Sequence, residues 1–147
     1  MSLTDKIAIW SMVGTWVAAI AAVVALIFAK RTLNAWKEEK IEVAKAKWIA
    51  ALVDYASNIS FLPDTIYWDD PNDNVHLERV AALMYECIKR WKVFQTYLEL
   101  SEKKKSQYEE LYSEKWGRFS LEYHNGYMEK KISKTDVKEY CVSLYNT

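Results

Sequence analysis

The feature that most constrains this chain is a run without a single charged side chain, "IAIWSMVGTWVAAIAAVVALIFA", covering residues 7–29. As a helix rising 1.5 Å per residue, these ~23 residues reach roughly 34 Å. A bilayer's hydrocarbon core is about 30 Å thick. A core helix of a water-soluble protein would show a polar stripe, and only Ser11 and Thr15 interrupt this one. Trp10, Trp16 and Trp36 lie near its ends, where amphipathic rings settle at the membrane interface. The run predicts a transmembrane helix over 7–29, preceded by a short outer tail of residues 1–6.

Charge then predicts an orientation. Lys30, Arg31, Lys37 and Lys40 follow the run directly, whereas on its other side Lys6 is offset by Asp5. Basic residues stay on the cytoplasmic side. The expectation is a signal anchor in the inner (cytoplasmic) membrane, crossing once, with the N-terminus outside and the rest in the cytoplasm. A cleaved signal peptide fits less well, because the apolar run is long and the region before it is nearly neutral. The same four basic residues, with the three tryptophans, are expected to anchor the helix at the interface. There each cation gains about 1 kcal/mol against anionic headgroups.

Within the run, Gly14, Ala18 and Ala22 recur every fourth residue, and Ala21, Ala25 and Ala29 form a second row. Small residues let helix backbones approach closely in lipid. The first row is therefore the candidate surface for self-association into a homo-oligomer. No ionisable residue lies in the run, which gives no footing for a proton relay.

Glycine and proline are scarce, three and two residues respectively, and few turns are expected from so few breakers. After Arg31 neither occurs until Pro63. Ile41, Ala44, Trp48, Leu52 and Tyr55 fall three or four apart, so the helix is expected to continue as an amphipathic stalk over 30–57. Its packing face, Ile41, Trp48, Leu52 and Tyr55, must meet either the rest of the chain or a second copy. Residues 58–74, "NISFLPDTIYWDDPNDN", hold both prolines and four aspartates and predict an acidic loop. Asp70, Asn72 and Asn74 alternate like calcium ligands. A calcium loop would then need Gly at Val75 and Glu at Ala81, so turn and capping chemistry explains them better.

Residues 75–147 carry three further helical patterns. The first, over about 75–100, has a broad apolar face including Met84, Trp91 and Phe94. The second is expected to open at Ser101 and to place Tyr108, Tyr112, Trp116, Phe119 and Tyr123 on one face. "HNG" at 124–126 predicts its stop, and Thr135 or Asp136 a cap for a last short helix. No alternating pattern of useful length suggests a strand. The fold class is therefore all-α: a transmembrane helix, a stalk and a small cytoplasmic bundle.

Chemistry is sparse. Twenty basic against twenty acidic residues argue against nucleic acid as a partner. Cys87 and Cys141 stand in no CxxC spacing and predict small buried residues in a reducing compartment. His76 and His124 have no ligand-spaced neighbour and predict surface or capping positions. The glycines form no phosphate loop. No enzyme activity, metal or cofactor is expected.

Residues 16–20, "WVAAI", and 22–26, "AVVAL", with the basic and aromatic exit after them, resemble the start of small bacterial inner-membrane proteins. Those carry one span before a helical cytoplasmic domain and often resemble prophage or defence-associated products. The resemblance implies a membrane location and no catalytic residues to carry over. Three functions stay open at this point: a membrane-anchored interaction or scaffold protein that self-associates or holds a cytosolic partner; an oligomeric effector that perturbs the lipid bilayer; and a ligand-sensing domain.

Overall fold

A computed structural model describes residues 3–146, all-α, with a single isolated β-bridge between Tyr67 and Glu129 and no strand among the described residues. The first helix, α1, runs from Leu3 to Ile59 without a break, as a chain free of Gly and Pro from residue 15 to 62 allows. The chain divides into two compact units after Glu38. The first is the leading part of α1. The second, from Glu39 onward, combines the rest of α1 with α2 (Asn74–Leu98), α3 (Glu102–Arg118), α4 (His124–Met128) and α5 (Lys134–Tyr145).

From Glu39 the helix is a core element of the second unit, and it ends at Ile59. Ile41, Trp48, Leu52 and Tyr55 are fully buried, joined by Ala44, Ala51, Ala56 and Ile59. Of the two covers the sequence allowed for this face, the chain itself supplies one. Trp48 sits at its centre, with the rings of Trp91 and Phe94 from α2 and of Tyr112 and Trp116 from α3 all centred within 6 Å of its own. Its Nε1 is buried without a hydrogen-bond acceptor, so the indole is held by ring packing alone.

The expected stop at "HNG" is not there. α3 passes without a break through a π-helical turn, Phe119–Tyr123, into α4. Gly126 lies inside that continuation, buried, and a Cβ placed on it would come 2.6 Å from Cδ1 of Ile132. This glycine is required for packing rather than for stopping. The reversal comes later, at Lys130, whose φ of 58° is the left-handed conformation that ends helices. The cap of α5 is Ser133, upstream of both expected candidates: its Oγ accepts from Asp136 N–H and donates to the Asp136 carboxylate. Ser101 precedes α3 as expected, but its side chain makes no capping bond.

The loop after α1 is pinned along its length. Trp68 N–H donates to Met128 O, Lys134 N–H to Asp64 O, and Tyr127 OH to Pro63 O. Its acids serve turns: Asp70 accepts from Asn72 N–H and Asp73 from Tyr67 N–H.

Truncating the central indole should therefore be costly. Trp48→Ala is expected to lower the unfolding free energy by about 3–5 kcal/mol. Val93→Ala, on an exposed position of α2, should stay within about 0.5 kcal/mol. Chemical denaturation of the detergent-solubilised chain, followed by near-UV circular dichroism, checks both.

Candidate functional site

In the first unit, every residue from 3 to 36 is exposed. One segment of α1 is long and apolar enough to cross a membrane, with a mean hydropathy of 2.4 over its most apolar window and none of that window covered by protein. Trp10, Trp16 and Trp36 all stand exposed, as do Lys30 and Arg31, while Lys37 is half-buried. In the second unit Lys40 is half-buried as well. One of the run's two hydroxyl side chains is accounted for locally. Thr15 donates to Ser11 O at 2.9 Å, and beyond the run Thr32 does the same to Phe28 O. Such back-bonding satisfies a hydroxyl where no water is present. Gly14, Ala18 and Ala22 are exposed, and nothing lies within 4 Å of where a Gly14 Cβ would stand.

In the second unit, the polar groups in the core form one small constellation around α1. Tyr55 OH and His124 Nδ1 are 2.9 Å apart and buried. The Cys87 thiol donates to Ala51 O at 3.3 Å and the Cys141 thiol to Leu52 O at 3.4 Å, two successive carbonyls of α1. Burial pushes the Cys87 thiol up to about 12, and the Cys141 thiol higher still. Burial likewise raises the Tyr55 phenol and lowers His124 to about 4. All four groups are thus neutral near pH 7. An attacking cysteine needs a lowered pKa and a general base one near 7, so these groups hold the core together as they stand. A surface hollow of about 450 Å³, lined by residues such as Ser60, Lys134 and Lys138, does not reach them. Among the described residues no three His, Cys, Asp or Glu side chains converge as metal ligands.

His124 corrects the surface or capping position expected for it; His76 is half-buried. The reason lies in the π-helical turn. Its i→i+5 hydrogen bond, from His124 N–H to Phe119 O, adds one residue to that turn. The buried face, which should step from Phe119 to Tyr123, steps instead to His124 and then Tyr127. Tyr123 is displaced to the flank, stacked on Tyr140 of α5 at 4.0 Å. Also unforeseen are Phe61 and Trp68, which stand 82% and 60% exposed on the pinned loop.

With this geometry in hand, comparison with protein-family models, curated proteins and solved structures finds no match.

The buried imidazole gives the second unit a defined response to acid. Folding holds His124 neutral, whereas the unfolded chain takes up the proton near the ordinary value of 6.5. The unfolded state binds more protons below that value, so stability is full above about pH 6.5 and drains as pH falls toward 4. The loss should be on the order of 3 kcal/mol by pH 4. His124→Gln, which keeps an acceptor for Tyr55, should flatten that part of the slope in unfolding curves taken between pH 7 and 4.

Proposed function

We propose that this chain is a single-pass membrane protein of the inner (cytoplasmic) membrane, which holds a helical interaction module at the cytoplasmic face and associates with itself. One observation carries the reading: the uncharged run 7–29 is exposed along its whole length. Leaving that much apolar surface in water is unfavourable at about 25 cal/mol per Å², and lipid is the solvent that removes the penalty. The basic residues after the run support the N-outside orientation. Gly14, Ala18 and Ala22 support self-association. Phe61 and Trp68, held out to solvent on a loop fixed by backbone hydrogen bonds, support a module that binds a cytosolic protein, since exposed aromatic side chains anchor many interfaces.

The test is fractionation with a charge placed in the run. The unaltered chain should pellet with membranes, resist alkaline carbonate and enter solution only with detergent. Ile20→Asp, near the middle of the run, adds about 3 kcal/mol against insertion and should shift a large part of the chain out of the pellet. A cysteine introduced at Thr4 should react with a membrane-impermeant maleimide on intact cells, and one at Lys103 only after lysis. Recovery of the unaltered chain in the soluble fraction would refute the reading.

A further inference from the structure

The part of α1 inside the second unit has two unlike faces. One is the buried row already described. The other is solvent-facing, and on such a face a helix ordinarily carries charge. Here Glu42, Lys47 and Asp54 carry charge at its edges, and its middle carries Val43, Ala46, Ala50 and Val53, all exposed, with the two valines at 45% and 40%. Their spacing is three, four, three, the a and d positions of a heptad. Beside the row, α2 leaves a shallow hollow of about 250 Å³ lined by Ala51, Ala82 and Leu83 together with Asp54, Arg79 and Glu86.

The sequence keeps that frame over a long distance. Counted back in sevens from Val43 and Ala46, every a and d position between residues 8 and 32 is Ala, Ser or Thr, among them Ala18, Ala22, Ala25 and Ala29. Only Trp36 and Glu39 depart from the pattern before Val43. A straight helix drifts about 20° per heptad, so over the seven heptads from residue 8 to 57 such a row would wander by roughly 140°. A chain that nevertheless holds a 3.5-residue repeat is fitted to a left-handed supercoil with another helix. The spacing therefore points to another helix as what covers this face.

We propose that the Val43–Ala46–Ala50–Val53 face of α1 docks against the same face of a second copy, in a parallel, closely spaced coiled coil. The proposal rests on the reading of the chain as a self-associating membrane anchor, which fixes the two copies parallel because both leave the bilayer on one side. Charge favours a second copy over another helix. In a parallel pair the g position of one helix meets the e position five residues on in the other. Those positions are Glu42 and Lys47, so each copy offers an acid to the other's base, twice by symmetry. Within its own chain Glu42 Oε1 already accepts from Lys104 Nζ and Tyr108 OH, at 2.9 and 2.6 Å, so the partner's lysine would join an existing pair.

Single cysteines introduced at Val43, Ala46, Ala50 and Val53 of the full chain, in native membranes, test the proposal under mild oxidation. The native Cys87 and Cys141 are fully buried and should stay silent. Disulfide-linked dimer is expected several-fold more strongly at these four positions than at Tyr85→Cys, which is 67% exposed on α2. Cross-linking no stronger than at Tyr85, or confined to Ala18→Cys and Ala22→Cys, would overturn it, as would a helix of another protein captured there in place of the second copy. Pelleting of the same samples reads anchorage separately. A pelleted chain without these cross-links refutes the docking face alone, and a soluble chain that forms them refutes the anchor alone.

Discussion

The burial of Trp48 is the interaction on which the second unit depends. Its indole is enclosed by two rings from α2 and two from α3, so three helices meet at one side chain with no backbone pairing to align them. Aromatic rings suit this task. Each buries a large area with few rotatable bonds, and edge-to-face contacts fix relative orientation. A unit of about a hundred residues has a modest stability margin, which is why concentrating so many rings around one helix matters. The uncapped Nε1 shows the same preference, since leaving a buried donor unpaired costs about 1–3 kcal/mol. The packing there must outweigh it.

Further along α1 the core changes character without becoming reactive. Tyr55 and His124 bond to each other, and the two thiols bond to successive carbonyls of the same helix. Each polar group has one local partner and no neighbouring opposite charge strong enough to favour its ionised form. Desolvation therefore dominates every shift, and all four groups remain neutral. That is the pattern of a satisfied interior. The departures from regularity nearby, the π-helical turn and the helical Gly126, are likewise explained by packing: one brings His124 under Tyr55, the other makes room for Ile132.

Much of this was legible in the sequence, and the limits have physical causes. The all-α class followed from scarce breakers and 3.6-residue periodicity, and the buried face of α1 was visible as Ile41, Trp48, Leu52 and Tyr55. What covered that face was not visible, because periodicity reports that a stripe is apolar and not what lies against it. His124 was misplaced because a π-helical turn shifts the phase of a helix by one residue and leaves no compositional mark. Gly126 looked like a stop because glycine ends helices more often than it serves close packing inside them. The exposure of Phe61 and Trp68 depends on hydrogen bonds to Tyr127, Met128 and Lys134, far away along the chain and beyond any local pattern.

One helix here answers to different surroundings in different places. On the membrane-anchor reading proposed above, almost any apolar side chain over 7–29 would satisfy a bilayer, and Val, Ile, Leu and Phe are used freely outside the a and d positions. At those positions the choice narrows to Ala, Ser and Thr. Lipid solvates a leucine as well as it does an alanine, so the hydrophobic effect cannot account for that restriction. Close approach of another backbone can. In the second unit the restriction relaxes to Val43, Ala46, Ala50 and Val53, where water does penalise exposed apolar surface and bulkier residues add to an interface. If the run lies in lipid and the copies pair as proposed, small residues there and valines beyond it are what such a contact requires in each medium.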